Sequence, residues 1–253
     1  MRVALFAAFP HEARHIVRGL RPQLKSRHPC LWRTARHRSL EIDLVLTGMG
    51  TLRARKALRH YLTGETPDLV VSAGFCGALS EGAAVGDLIQ GARVLLCQEQ
   101  GGRAVLPEGR QLVLDTSSAP CDSALQSGIQ GSSGGCIITL QQKMRKEEVK
   151  KIVTYDMVSP VCDMETFPLA LLSQQRGIPF LALRAVTDLH DEDIPPDLFR
   201  TADEAGNYRT LRALRLLTLQ PGLIPSALRL GRASSLAAKN LWRGFREILE
   251  TLS

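Results

Sequence analysis

Apolar positions recur along the chain with two periods, one suited to buried strands and one to amphipathic helices. Residues 3–8 form a continuous apolar run of strand length, and beyond Pro10 the residues Ala13, Ile16, Val17 and Leu20 recur at helical spacing. That predicts strand, turn, helix. Residues 41–46 repeat the unit, running into Thr47-Gly48-Met49-Gly50 before Leu52, Ala54, Ala57, Leu58 and Tyr61 take up a helical pattern. Residues 68–73 form a third apolar strand, predicted to end in a turn at Gly74-Phe75-Cys76-Gly77. Gly86-Asp87 then introduces a strand pair over residues 85–94. The Gly-, Ser- and Gln-rich residues 98–135 predict loops and edge strands.

The second half continues the alternation. Residues 137–140 read as a strand, 143–152 as a charged helix and 168–175 as an amphipathic helix. Gly177-Ile178-Pro179 turns the chain into an apolar strand over 180–186 that ends in Thr187-Asp188. An acidic, proline-containing segment follows over 191–207, then a helical region over 208–252 interrupted by Pro221 and Pro225. Strands alternating with helices predict an α/β fold with a central mixed β-sheet flanked by helices. No repeat or linker divides the chain, so residues 1–253 are expected to form a single domain, with 1–207 as its core and 208–253 as a basic helical C-terminal extension. Ligands of such sheets gather at the carboxyl ends of the strands.

Composition narrows the classes. With 44% apolar and 23% charged residues the chain can bury a full core, which excludes intrinsic disorder. No apolar run approaches the ~18 residues of a membrane-spanning helix. Only Arg2 precedes the first apolar stretch, which lacks a small-residue cleavage site, and the six cysteines contain no CxxC pair. Both features predict a cytoplasmic protein with free thiols. The net charge of +7 is uneven, with Lys and Arg in excess over residues 1–60 and 209–253 and Asp and Glu over 61–208. Basic ends suit anionic lipid, phosphate-bearing substrates or nucleic acid, or form a solvated surface. The absence of a nucleic-acid motif and an aromatic content of 5% argue against nucleic acid. The histidines and cysteines lack metal-ligand spacing, so no metal is expected.

Three carboxylates stand at element boundaries: Glu12 after the first strand, Glu165 in Asp163-Met164-Glu165, and Asp188 at the end of the last strand. Taken singly, each also reads as a helix cap or a surface charge. Arg53 and Arg55 read as solvated helix charges, and His11 as a surface histidine.

In this order, Gly48-Met49-Gly50, Ser72-Ala73-Gly74-Phe75-Cys76-Gly77-Ala78-Leu79 with Val85-Gly86-Asp87, Asp163-Met164-Glu165 and Arg184-Ala185-Val186-Thr187-Asp188 resemble the purine nucleoside phosphorylase and methylthioadenosine nucleosidase superfamily, over about residues 1–190. The resemblance implies a nucleoside phosphorylase-like fold and cleavage of a purine N-glycosidic bond. It implies that Asp188 protonates the departing purine at N7 or bridges to it, and donation of a proton near neutral pH requires a raised pKa. Glu165 would accept hydrogen bonds from the ribose hydroxyls and set negative charge beside the cationic sugar, with Met164 packed beneath it. Glu12 coincides with the carboxylate that activates water in the nucleosidase branch, and Gly74, Phe75, Gly50 and Met49 would complete the substrate site. Phosphorylases of the superfamily carry an arginine and a Ser or Thr where this chain has Ser72 and Phe75. Phosphate as a co-substrate would then depend on backbone N–H groups at residues 48–50 and 74, or on Arg53.

A narrower resemblance includes Pro179-Phe180, Pro195-Pro196, Gly206 and the proline-interrupted basic tail, and looks like the hopanoid-associated phosphorylases. It implies release of adenine from adenosylhopane by phosphorolysis, no cofactor beyond inorganic phosphate, a homo-oligomer, and peripheral membrane contact through the tail. Base preference is adenine by analogy, since Gln141, Gln142 and Lys143 stand where many relatives have a stacking aromatic. Hydrolysis of methylthioadenosine or S-adenosylhomocysteine, and a nucleoside-binding protein without catalysis, are the alternatives.

Overall fold

A computed structural model describes residues 1–114, 129, 131–193 and 210–253. The first half contains β1 (Arg2–Ala7), α1 (Arg14–Leu20), β2 (Gln23–Ser26), β3 (Leu31–His37), β4 (Leu40–Leu46), α2 (Thr51–Tyr61), β5 (Leu69–Ala78), β6 (Leu88–Gln100), β7 (Arg103–Val105) and β8 (Gln111–Val113). The second contains β9 (Ser132–Leu140), α3 (Lys146–Lys150), β10 (Val161–Asp163), α4 (Thr166–Gln175), β11 (Phe180–Asp188), α5 (Thr210–Leu219) and α6 (Ile224–Leu252).

The strands form one mixed sheet in the order β10-β9-β6-β11-β5-β1-β4-β3-β2. Strand β10 also pairs with β5, so β5, β11, β6, β9 and β10 close on themselves. Strands β4, β1, β5 and β11 run parallel, and their carboxyl ends therefore open on one side. This is the single α/β domain with a mixed sheet that the alternating pattern predicts.

Period-2 alternation within each strand divides the core between the two faces. Val3, Leu5 and Ala7 join Ala13, Ile16 of α1, and Leu241, Phe245 and Ile248 of α6 on one face. Ala4 and Phe6 join Ala57 and Leu58 of α2 and Phe167 and Leu169 of α4 on the other. The basic C-terminal segment thus packs its inner side into the core. At Gly19 of α1 an added Cβ would stand 2.3 Å from the Trp242 ring, so only glycine allows this approach of α1 to α6.

Several boundaries differ from the sequence pattern. Residues 74–77 are not a turn: β5 runs through them, paired with β11 from Gly74 to Gly77 and with β10 at Gly77 and Ala78. Neighbours on both sides supply hydrogen bonds that override the turn propensity of glycine. Strand β6 is one 13-residue strand, irregular between Gly91 and Arg93, where the pattern predicts a pair. The helix expected over 143–152 shortens to α3. Strands β2 and β3, which no apolar run marks, form the outer edge of the sheet. Pro225 stands in the first turn of α6 and starts that helix, in keeping with its fixed φ and missing N–H. The acidic segment lies outside the described residues beyond position 193.

One charged residue is buried away from the strand ends. Asp43 of β4 has no exposure and accepts hydrogen bonds from Trp32 Nε1 (2.9 Å) and Tyr61 Oη (2.8 Å), tying β3 and α2 to the sheet. Tyr61→Phe removes one donor and leaves a buried carboxylate oxygen short of a partner. The expected loss is about 1–3 kcal/mol in denaturant unfolding, with the fold intact by circular dichroism.

Candidate active site

Five segments leave the carboxyl ends of strands and converge. The segment after β1 brings Phe9, His11 and Glu12; the loop after β4 brings Met49 and Gly50. Strand β5 itself carries Gly74, Phe75 and Gly77, the segment after β10 carries Met164 and Glu165, and β11 ends in Thr187 and Asp188. With Lys143 to Lys146 on the far wall and Leu230 and Ser234 of α6 at the rim, they enclose a cavity of about 850 Å³.

Glu12 is 4% exposed, and backbone groups fix its carboxylate. Its Oε2 accepts from Ala8 N (2.8 Å) and Phe9 N (2.9 Å), and its Oε1 from Phe75 N (2.9 Å). A Cβ at residue 74 would stand 3.1 Å from Oε1, which explains the glycine there. Burial pushes the Glu12 carboxyl above its ordinary pKa, against the pull of those three N–H groups and the charge of Arg184.

Arg184 organises the floor. It lies on β11 at 2% exposure and donates through Nη2 and Nε to Asp163 Oδ2 (2.7 and 2.9 Å) and through Nη2 to Ser72 Oγ (2.8 Å). Its Nη1 donates to the Ser72 carbonyl at 3.0 Å. Asp163 also accepts from Thr139 Oγ1 (2.7 Å) and from the backbone N–H of Thr166 (2.9 Å), which starts α4. The guanidinium and its carboxylate are thus fully partnered, as a buried ion pair must be.

Glu165 sits at the N-cap of α4 and accepts from Gly50 N at 2.7 Å, an orientation that Gly50 presents at φ 103°, a backbone region suited to glycine. Burial, together with the negative charges of Asp163 and Glu12, pushes its carboxyl up to about 8. Glu165 is therefore largely protonated at neutral pH in the unliganded site, where it can both donate and accept hydrogen bonds. A void of about 10 Å³, room for one water, lies among Ala8, Glu12, Thr47, Ser72, Gly74, Glu165 and Arg184.

At the other end, Asp188 is 8% exposed. Its Oδ1 accepts from Thr187 Oγ1 (2.8 Å) and its Oδ2 from Lys146 Nζ (2.5 Å). A Cβ at Gly77 would stand 2.5 Å from Oδ2, so the second glycine of the β5 motif makes room for the acid. Burial raises the Asp188 carboxyl pKa, and the Lys146 ammonium opposes the rise.

The structure brings all eight sequence-selected residues to one place. Glu12, Glu165, Asp188, Met164, Met49 and Phe75 line the large cavity, Gly74 lies beneath Glu12, and Gly50 holds Glu165. His11 is not the surface histidine expected from its isolation. Its ring stacks on Phe9 (5.1 Å between centroids) and tilts against Phe75 (5.3 Å), and burial lowers its pKa to about 4, so it is neutral at neutral pH. Two further residues escaped the sequence reading. Arg184 had a signal, a lone charge in an apolar strand, which requires a buried partner. Lys146 had none, lying within a charged run from Lys143 to Lys151.

This arrangement, an acid at one end of a cavity and a buried carboxylate pair with a water-sized void at the other, sits on a fold made for small-molecule ligands at strand ends. The phosphorylase superfamily model matches residues 2–217, and the chain belongs to that superfamily. It is a nucleoside-cleaving enzyme of this group. It is 23% identical over 192 residues to the 5′-methylthioadenosine/S-adenosylhomocysteine nucleosidase of Shewanella loihica, covering 70% of this chain and 81% of that protein. The corresponding nucleosidase of Shewanella halifaxensis is 20% identical over 233 residues, covering 86% and 99%. Among solved structures, the nucleosidase of Neisseria meningitidis in complex with methylthio-immucillin-A superposes with a TM-score of 0.71 at 17% identity, covering 99% of both chains.

The raised carboxyl of Glu165 has a consequence for stability. A carboxyl whose folded pKa lies above its unfolded value binds its proton more tightly when folded, so its contribution is full below about pH 4.5 and is lost as pH rises through about 8. Glu12 and Asp188, also raised by burial, act with the same sign. The unliganded wild type should lose thermal stability between pH 5 and pH 8 relative to Glu165→Gln, as read by melting temperature. Parallel curves for the two proteins would contradict the assignment.

Proposed function

We propose that the chain hydrolyses the N-glycosidic bond of an adenine nucleoside that carries a bulky 5′ substituent. The observation that carries the hydrolytic reading is the occupation of the backbone donors. The N–H groups of Ala8, Phe9 and Phe75 all point to Glu12, and that of Gly50 points to Glu165. A phosphate would have to displace these carboxyl groups from their backbone donors, whereas a water fits the void between Glu12 and Arg184.

The roles follow from position. Glu12 takes a proton from the water as its oxygen attacks C1′ of the sugar. The C1′–N9 bond breaks with its electron pair moving onto the purine, and Asp188 delivers a proton to N7 so that the base leaves neutral. Glu165 hydrogen-bonds the sugar hydroxyls and, once ionised, stabilises the developing cation. Residues of the chain supply every group this scheme uses, with no cofactor.

The cavity volume lies near the upper end of the ~300–1,000 Å³ typical of small-molecule sites, leaving room beyond a nucleoside. Its walls include Leu140, Met144, Val149 and Leu230, which suit an apolar 5′ group. The resemblance to hopanoid-associated phosphorylases favours adenosylhopane as that substrate. In that group the co-substrate is phosphate, and Arg53, Lys143 and Arg145 on the cavity wall are the feature that favours phosphorolysis as a second reading.

Among the described residues no helix is long and apolar enough to cross a membrane. On α6, Ile224, Leu228 and Leu236 are exposed beside Arg229, Arg232 and Lys239, and Leu230 and Ser234 of the same helix line the cavity. This basic and apolar rim is the feature that supports peripheral contact with an anionic lipid surface.

Adenine release from methylthioadenosine, and from adenosylhopane in detergent, is the test, run in matched buffers with and without phosphate. Release independent of phosphate is the expected result, and strict dependence on phosphate would establish the second reading. Glu12→Gln and Asp188→Asn should each lower kcat by about 10²–10⁴-fold with unchanged folding. Wild-type rates in Asp188→Asn would remove it as the acid.

A further inference from the structure

The resting geometry of Asp188 poses a problem for any mechanism that uses it as an acid. Both of its oxygens already face donors, the Thr187 hydroxyl at Oδ1 and the Lys146 ammonium at Oδ2. A carboxyl engaged by a lysine at 2.5 Å is the anionic half of an ion pair. It holds no proton of its own to give.

Lys146 is the first residue of α3 and is 7% exposed, unusual for a lysine. A second N–H donates to the Leu189 carbonyl at 2.6 Å, which fixes Nζ against the end of β11. The other groups that face the pair are two buried thiols and two carboxylates engaged elsewhere. Cys162 of β10 lies against Gly77, and burial followed by the negative charge of Asp188 pushes its thiol up to about 12. Cys76 of β5 is likewise raised by burial. Asp163 is bound to Arg184, and Glu192, whose charge also acts on Asp188, accepts from Leu189 N at 3.1 Å.

Resting on the reading that the purine departs at the Asp188 end, we infer that Lys146 supplies the proton that the leaving base receives through Asp188. As the C1′–N9 bond breaks and its electron pair moves onto the purine, an Nζ–H bond of Lys146 breaks and an O–H bond forms on Asp188. That O–H then breaks as N7–H forms. Lys146 is left as a neutral amine, still donating to Leu189, and regains a proton from solvent once the base has gone. The balance is the same whether water or phosphate attacks C1′, because the nucleophile's proton is handled at the other end of the cavity. Lys146 is thus a positioning residue that acts through Asp188 and holds the transferable proton, and arginine cannot replace it, since a guanidinium keeps its proton throughout the working range.

The test compares wild type, Lys146→Arg and Lys146→Met on two substrates. One is methylthioadenosine, whose base needs a proton to leave; the other is 5-methylthio-ribose joined to p-nitrophenol, whose nitrophenolate leaves without one. Both variants should lose at least about 100-fold in kcat on the nucleoside and no more than tenfold on the aryl riboside. Lys146→Arg retains the ion pair and serves as the folded reference if Lys146→Met is unstable. Wild-type turnover of methylthioadenosine by Lys146→Arg would overturn the inference, because charge alone would then suffice. An equal loss on both substrates would also overturn it, in favour of a structural role. A wild type that releases neither adenine nor nitrophenolate would remove the functional reading together with this one, whereas an active wild type matched by its variants removes this inference alone.

Discussion

The Glu12 end of this site depends on one buried guanidinium. Glu12, Asp163 and Glu165 are drawn together away from water at the carboxyl ends of the strands, and without compensation they would repel one another. Arg184 binds Asp163 directly, and its charge acts on Glu12 and Glu165. Its remaining hydrogens go to Ser72, Thr166 and the Leu183 carbonyl. The guanidinium fork suits this task because its planar donors reach a carboxylate, a hydroxyl and a carbonyl at once. Compensation is partial, and the deficit falls on Glu165, whose carboxyl is pushed up to about 8.

The two ends of the cavity use opposite electrostatic devices. At the Glu12 end, backbone N–H groups from two strand ends hold one carboxylate, and glycine at 74 lets it sit against the β5 backbone. At the Asp188 end, a lysine from a separate helix meets the carboxylate over Gly77, again where a Cβ would collide. The two glycines of one strand thus admit the two carboxylates that the proposed chemistry separates. Closure of β10 onto β5 links the ends, since β10 leads directly into Glu165 and carries Asp163.

The strand–helix alternation of the chain was legible because apolar runs and helical spacing are local signals. So were the carboxylates at strand ends, once several motifs occurred in order. The continuation of β5 through residues 74–77 was not, because pairing with β10 and β11 comes from residues some 85 to 110 positions away. The strands β2 and β3 carry charges on an exposed edge and so lack an apolar run. His11 reads as isolated in sequence, yet Phe75 arrives from β5 to enclose it. Lys146 belongs to a run of charges in which only the fold distinguishes the buried member from its solvated neighbours.

The central claim is that one nucleoside spans the cavity with its base at Asp188 and its sugar over Glu165 and Glu12. A crystal structure with methylthio-immucillin-A, the ligand of the Neisseria complex, tests it most directly. The account predicts the N7 position of the base within about 3 Å of an Asp188 oxygen, the sugar hydroxyls on Glu165, and a water between Glu12 and the C1′ position. A ligand bound in the reverse orientation, or outside this cavity, would contradict it.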